Sequence, residues 1–299
     1  MVHFVNPRAI ASVRDFALVA RTVATGYLQG VQQSVHRGVG IEFSQYRSYE
    51  PGDPVGRIDW RLYARSDRYF VREAERDSQT TVWLVLDASQ SMALRSEQGT
   101  LSKFDFGRYV LATLAYVAQL QGDSVGLWII NDSTPCVIPP VSGMKQWHRI
   151  LHALERVTTS GLFPTHERLS AQLTRVQRAG LTVVVTDLYE QTEEQRQLLR
   201  RCATRHNEVT AIRLASSDEV QFPYKGAVRF QDLETGEQVL VSGRAARARY
   251  LAQRDAWLQS SRQQLRERGI EVADISIDEP VERAVASVLR ARQRHTSRP

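Results

Sequence analysis

Four runs of β-branched and apolar residues, separated by stretches of helical periodicity, constrain this chain more than anything else in it. They are "TTVWLVLD" (Thr80 to Asp87), "SVGLWIIN" (Ser124 to Asn131), "LTVVVTD" (Leu181 to Asp187) and "EVTAIRL" (Glu208 to Leu214). A strand that is apolar on both faces must be covered on both, which suits a parallel strand inside a sheet. Between the runs, Phe106, Val110, Leu114 and Val117 form one stripe of a helix predicted from Lys103 to Leu120 and closed by Gly122-Asp123. Further helices are predicted over 145–157, 167–178 and 191–205. Strands and helices that alternate at this spacing give an α/β fold, a mainly parallel central sheet with helices on both faces. "PCVIPPV" (Pro135 to Val141) carries three prolines and reads as a short edge strand.

The flanks read differently. Residues 1 to about 30 are predicted as a helix, with Ile10, Val13, Phe16, Ala17 and Ala20 at helical spacing. From Gly38 to Asp77 the text turns to Gly, Tyr, Arg and Asp, and "YEPGDPVG" (Tyr49 to Gly56) is turn chemistry. An N-terminal helix and collar over 1–79 are expected. Residues 216–243 interrupt the alternation, and "AVRFQDLETGEQVLV" (Ala227 to Val241) reads as a hairpin turning at Glu234 to Gly236. A long helix from Ala245 to Arg268, capped by Gly269, follows. A returning strand "IEVADISI" (Ile270 to Ile277) and a last helix from Pro280 to about Arg294 complete the chain. The expected division is thus 1–79, a main domain over 80–294 with an insertion at about 216–268, and a basic tail at 295–299.

Composition removes several classes. With 42% hydrophobic and 24% charged residues over 299 positions, the chain can bury a core without staples. Cys136 and Cys202 allow at most one disulfide, and no C-x-x-C exists for a cysteine-rich zinc site. No window is apolar enough for a membrane span. Arg8, Arg14, Asp15 and Arg21 break any secretory core. A cytoplasmic protein is expected. The net charge of +6 comes with three lysines and 36 arginines. Acidic residues are interleaved with the arginines, six Arg against five Asp or Glu between Arg57 and Asp77, so local balance is the expectation and nucleic acid is not the expected partner.

The chemistry gathers at strand ends. The first central strand runs into Asp87-Ala88-Ser89-Gln90-Ser91, and in a doubly wound sheet that end opens into the crevice where ligands bind. "TVVVTD" ends in Asp187 at the same edge, and Thr165 lies in the loop "SGLFPTHERL" just before a helix. Two carboxylates and three hydroxyls are hard oxygen donors, suited to Mg²⁺ or Mn²⁺ and poor for zinc. The competing reading is that an Asp or Ser after a strand merely caps the next helix.

This D-x-S-x-S, with a threonine in a later loop and an aspartate after the fourth strand, resembles the metal-ion-dependent adhesion site of von Willebrand factor A domains. Upstream, Arg47-Ser48-Tyr49-Glu50-Pro51-Gly52-Asp53, then Arg57-Ile58-Asp59-Trp60, then Ala64-Arg65, is similar to the bacterial family called "domain of unknown function 58". Arg249-Tyr250 after the hairpin continues the likeness, which spans about 25 to 290. Gly56-Arg57 departs from the paired arginines common at that place. The resemblance implies a Rossmann-like A domain holding Mg²⁺ (or Mn²⁺) with Asp87, Ser89, Ser91, Thr165 and Asp187. It further implies a partner's carboxylate completing the coordination. Members are typically encoded beside MoxR-type AAA+ ATPases, so an adaptor or co-chaperone of such an ATPase, with a client protein, is expected.

Other motifs fail on context. There is no P-loop, since Gly-Lys never occurs. Gly122-Asp123-Ser124-Val125-Gly126 has the G-x-S-x-G spelling, but it runs from helix into strand, the reverse of a nucleophile elbow. Ser89 replaces the second acid of a phosphotransferase D-x-D. His148 and His152 share a helix face, yet Arg149 stands where a metalloprotease needs glutamate. No catalytic residue is expected. A metal-dependent phosphoester hydrolase and an arginine-mediated nucleic-acid binder are the alternatives.

Overall fold

In a computed structural model of the chain, residues 15–37, 46–49, 63, 69–72, 80–97, 99–132, 136–176, 180–188, 193–233 and 235–296 are described. The chain divides into two compact units, one made of 1–28 with 80–299 and the other of 29–79. Helix α1 (Phe16–Arg37) begins in the larger unit, where Phe16, Val19, Ala20 and Val23 enter the main core.

In the smaller unit, β1 (Tyr46–Ser48) pairs antiparallel with β2 (Phe70–Arg72), and the Tyr63 and Tyr69 rings stack with centroids 4.5 Å apart. Of the collar motif, 47–49 fall in this described part, whereas 50–62 and 64–68, including Trp60, lie outside the described residues.

The larger unit is built on β3 (Thr81–Asp87), β4 (Ser124–Ile130), β5 (Cys136–Val141), β6 (Gly180–Thr186), β7 (Asn207–Ala215) and β10 (Ile270–Ser276). Their order across the sheet is β10-β7-β6-β3-β4-β5. All neighbours are parallel except β5, which runs antiparallel to β4 at the edge. That is where a proline-rich strand is tolerated, because an edge leaves one side without ladder bonds. β3, the first run of the sequence pattern, lies inside the sheet between β4 and β6 and is buried from Val82 to Asp87.

Helices cover both faces. On one face, α2 (Lys103–Leu120), α3 (Met144–Arg156) and α8 (Val281–Thr296) pack over a core that includes Leu84, Leu86, Phe106, Trp147 and Val285. On the other, α4 (His166–Val176), α5 (Glu193–Cys202) and α7 (Gly243–Arg266) cover Trp83, Val85, Trp128, Val184 and Ala211. This is the doubly wound arrangement expected from the alternation. Residues β8 (Ala227–Gln231) and β9 (Gln238–Ser242) form the expected antiparallel hairpin. Gly269, at φ +75°, turns the chain from α7 into β10.

Two short elements were not expected, a 3-10 turn over Gln90–Ala93 and a helix before the hairpin. A single turn of helix, α6 (Ser217–Gln221), precedes the hairpin, capped reciprocally by Ser216 and Glu219. Five residues are too few to show periodicity, but Ser216-x-x-Glu219 is the capping-box spelling and was its readable sign. Cys136 and Cys202 are both unpaired, the first exposed and the second buried. Among the described residues no helix is long and apolar enough to cross a membrane.

Candidate functional site

β3 and β6 are adjacent and parallel, so Asp87 and the Thr186-Asp187 pair emerge at the same edge of the sheet. After β3 the chain turns at once. Gln90 N–H donates to Gly161 C=O at 2.9 Å and Ser160 N–H donates to Ala88 C=O at 3.0 Å. These bonds stitch the 88–90 turn to the loop that leads to Thr165.

Within that turn the side chains converge. Asp87 Oδ1 accepts from Ser89 N–H at 3.0 Å and from Ser89 Oγ at 2.7 Å, and Ser89 Oγ is 3.1 Å from Ser91 Oγ. Asp87 and Ser89 are buried, and Ser91 is half-buried. Ser89 sits at the N-cap of a 3-10 turn over Gln90–Ala93, but its side chain makes no cap hydrogen bond. It is turned to Asp87 instead.

The second oxygen of Asp87 is also engaged. Oδ2 accepts from Thr186 Oγ1 at 2.7 Å and from Gln195 Nε2 at 3.0 Å. Asp187, equally buried, receives Lys103 Nζ on Oδ2 at 3.3 Å, and the same ammonium reaches Glu219 Oε1 at 2.7 Å. Burial pushes the Asp87 carboxyl up, the nearby Asp187 carboxylate adds to this, and bonds from Ser89 and Thr186 work against it, leaving it at about 7. Thr165 is exposed at the start of α4, its carbonyl accepting from Arg168 N–H at 3.1 Å.

The structure therefore brings Asp87, Ser89 and Ser91 into direct contact, sets Asp187 beside Asp87, and holds Thr165 in the adjoining loop. Ligands about 2.1 Å from an octahedral ion lie about 3.0 Å from one another, and the two serine hydroxyls have that spacing. Among the described residues, no three His, Cys, Asp or Glu side chains gather at one point. An ion here would thus rest on two carboxylates and neutral hydroxyls, a donor set that fits Mg²⁺ or Mn²⁺ and disfavours zinc. Gln195 is buried too, and its Oε1 has no hydrogen-bond partner among the described residues, which leaves a further hard oxygen beside Asp87.

Lys103, Thr186, Gln195 and Glu219 were missed in the sequence. Lys103 carried a signal, as one of three lysines in an arginine-rich chain and the first residue of an apolar helix, and Glu219 carried that of its capping box. The histidines take local roles: His148 Nδ1 lies 2.8 Å from the Met144 carbonyl, His152 Nε2 faces Arg156, and His166 Nδ1 is 3.2 Å from Arg201 Nη1. Ser124 opens β4 at the opposite end of the strands from Asp87.

The family described as "Protein of unknown function DUF58" matches residues 45–260. An uncharacterized protein of Mycobacterium tuberculosis strain H37Rv is 28% identical over 237 residues, which cover 77% of this chain and 73% of that protein. Among solved structures, the chain is similar to an aerotolerance-related membrane protein from Bacteroides fragilis, at TM-score 0.47 and 14% identity, over 72% of this chain and 99% of that one. It is also similar to the hypothetical protein BatB from Bacteroides thetaiotaomicron (0.44 and 13%, over 73% of this chain and 100% of that one). The SpRpn10 VWA domain gives 0.41 and 10%, over 70% of this chain and 94% of that one.

Proposed function

The chain belongs to the DUF58 family, and on that premise we propose that it is a metal-dependent protein-binding module. In this reading Asp87, Ser89, Ser91, Thr165 and Asp187 hold Mg²⁺, or Mn²⁺, and the ion receives a carboxylate from a partner protein. The observation that carries it is the contact of Asp87 Oδ1, Ser89 Oγ and Ser91 Oγ, in which Ser89 gives up a helix cap to join the cluster. When bound, the ion supplies an attractive point charge for an anionic oxygen. The residues of the chain fix its ligands in place.

The site is a binding site rather than a hydrolytic one in this reading. Hydrolysis would need a nucleophile, a general base or a second metal placed beside the ion, and in this reading both carboxylates at the site, Asp87 and Asp187, are ligands. The partner is a MoxR-type AAA+ ATPase, for which the chain acts as adaptor or co-chaperone toward a client. This part rests on the family resemblance of the 47–65 segment.

The test has two stages. Titration calorimetry with Mg²⁺ and with Mn²⁺ should show one site in the wild type and none in Asp87→Ala. Retention of the purified ATPase on the immobilised protein should then require Mg²⁺ and be lost in EDTA. Equal metal binding by Asp87→Ala would sink the metal assignment, and equal retention in EDTA would sink its role in binding.

A further inference from the structure

Thr186, Arg213 and Asp274 stand in one row across β6, β7 and β10, on the face of the sheet that lies under α7. Arg213 is almost fully buried, at 3% exposure. A cation in such a place is costly unless its donors are met. Its Nε donates to Asp274 Oδ1, and its guanidinium stands 5.2 Å from the centroid of the Trp257 ring. The remaining edge of the fork is Nη1 and Nη2, and neither has a hydrogen-bond partner among the described residues.

Helix α7 supplies the opposite wall. Arg254, Trp257, Leu258 and Arg262 recur at the spacing of a single helix face and line the same cavity as Arg213. A helix face turned to a sheet is ordinarily apolar, yet two of these four positions are arginine. Arg262 shares Asp274 with Arg213, and its Nε is unpartnered. Arg254 pairs only distantly with Asp255, at 3.9 Å, whose side chain is 68% exposed and therefore screened by solvent.

The other acidic groups at the cavity are engaged. Asp187 and Glu219 hold Lys103, and Glu279 pairs with Arg283. Asp274 is shared by Arg213 and Arg262, and with Arg254 they bring three guanidiniums to a cavity of about 290 Å³ whose apolar wall includes Leu214 and Val220.

We propose that this cleft binds a small anionic ligand by its oxyanion, a carboxylate or a phosphate. The oxyanion sits on the Nη edge of Arg213 with Arg254 and Arg262 flanking it, and the apolar part of the ligand lies against Trp257 and Leu258. A planar fork held by an aromatic ring on one side and a carboxylate at Nε is oriented for bidentate contact with two oxygens. The volume suits a ligand of metabolite size, at the low end of small-molecule pockets. The cavity borders the proposed metal site at Asp187, but the contacts to the oxyanion are made by the arginines and need no ion at Asp87.

The full chain is titrated by calorimetry with inorganic phosphate and, separately, with succinate, in a chloride buffer. Arg213 is too deeply buried to be the test position, so Arg254→Gln and Arg262→Gln are used, with Lys145→Gln, exposed on α3 at the other face of the sheet, as a control. Saturable binding of either anion is expected, weakened at least about tenfold by each arginine substitution and unchanged by Lys145→Gln. Which of the two anions binds identifies the oxyanion. Absence of binding by both overturns the proposal. So does equal affinity in Arg254→Gln and Arg262→Gln when their melting temperatures match the wild type.

Discussion

Lys103 Nζ stands 3.3 Å from Asp187 Oδ2, with both side chains shut off from solvent at 2% and 1% exposure. Burial by itself would lower the pKa of this lysine, but the carboxylates of Asp187 and Glu219 outweigh it and hold the pKa above the ordinary value. One ammonium thus ties a proposed metal ligand after β6 to helix α6, and the Tyr250 hydroxyl extends the tie to α7 by donating to the Glu219 carbonyl at 3.1 Å.

Removing that ammonium should leave buried Asp187 and half-buried Glu219 without the cation they share. Lys103→Met is expected to destabilise the fold by about 3–5 kcal/mol, read by urea denaturation at neutral pH. Because the lysine pKa is raised in the fold, its contribution is complete below the ordinary lysine range and is lost as pH climbs through the raised value. The gap between wild type and variant should therefore close only in strong alkali. A gap of constant size across that range would show that packing, not charge, sets it.

Thr186 and Gln195 orient Asp87 without belonging to the proposed ligand set. Partners of this kind typically alter metal affinity about 10–100-fold when removed. Thr186→Val and Gln195→Leu should each weaken Mg²⁺ binding by a factor in that range in calorimetry, with the folded state retained by circular dichroism. Unaltered affinity in both variants would mean that Asp87 is held by the backbone alone.

The start of α2 should give an acid-side signature. Burial works to raise the Asp105 pKa, but hydrogen bonds from Ser102 and the Arg108 guanidinium prevail and lower it. A lowered carboxyl contributes stability above the ordinary value of about 3.9 and loses it as pH falls through the lowered value. Asp105→Asn should melt below wild type at neutral pH, and the two should converge as the pH drops beneath that range. Ser102→Ala, which removes the cap accepting from Asp105 N–H, should cost about 1 kcal/mol.

Gly161 holds a positive φ of +59°, and a Cβ there would come within 2.3 Å of the Asp132 side chain. Its carbonyl accepts from Gln90 N–H next to the proposed metal cluster. Gly161→Ala should lower stability by more than about 1–2 kcal/mol, the backbone cost alone, and weaken Mg²⁺ binding with it. A variant as stable as wild type would show that this loop adapts freely.

The strand-helix alternation was legible because burial leaves a periodic mark on the sequence: β3, β4, β6 and β7 are apolar on both faces, and α2 carries its stripe from Phe106 to Val117. Loop positions followed from the same pattern, and with them the placing of Asp87, Ser89, Ser91 and Asp187 at strand ends and of Thr165 just before a helix. Capping chemistry was legible too, though α6 was short enough to pass unnoticed despite its box.

Periodicity records that a face is buried and says nothing of what lies opposite. Thr186 and Gln195 reach Asp87 from 99 and 108 residues away, and Lys103 joins residues 84 and 116 positions further along the chain. Arg213 reads as a stray polar residue in an apolar strand, and only the packing of α7 over β7 and β10 makes it a buried fork with an unpartnered edge. The sequence by itself determined the fold class and the edge of the sheet where chemistry gathers, because those depend on local pattern. The tertiary structure decided which charges meet and which donors are left over, because pairing depends on distances between segments that the chain separates.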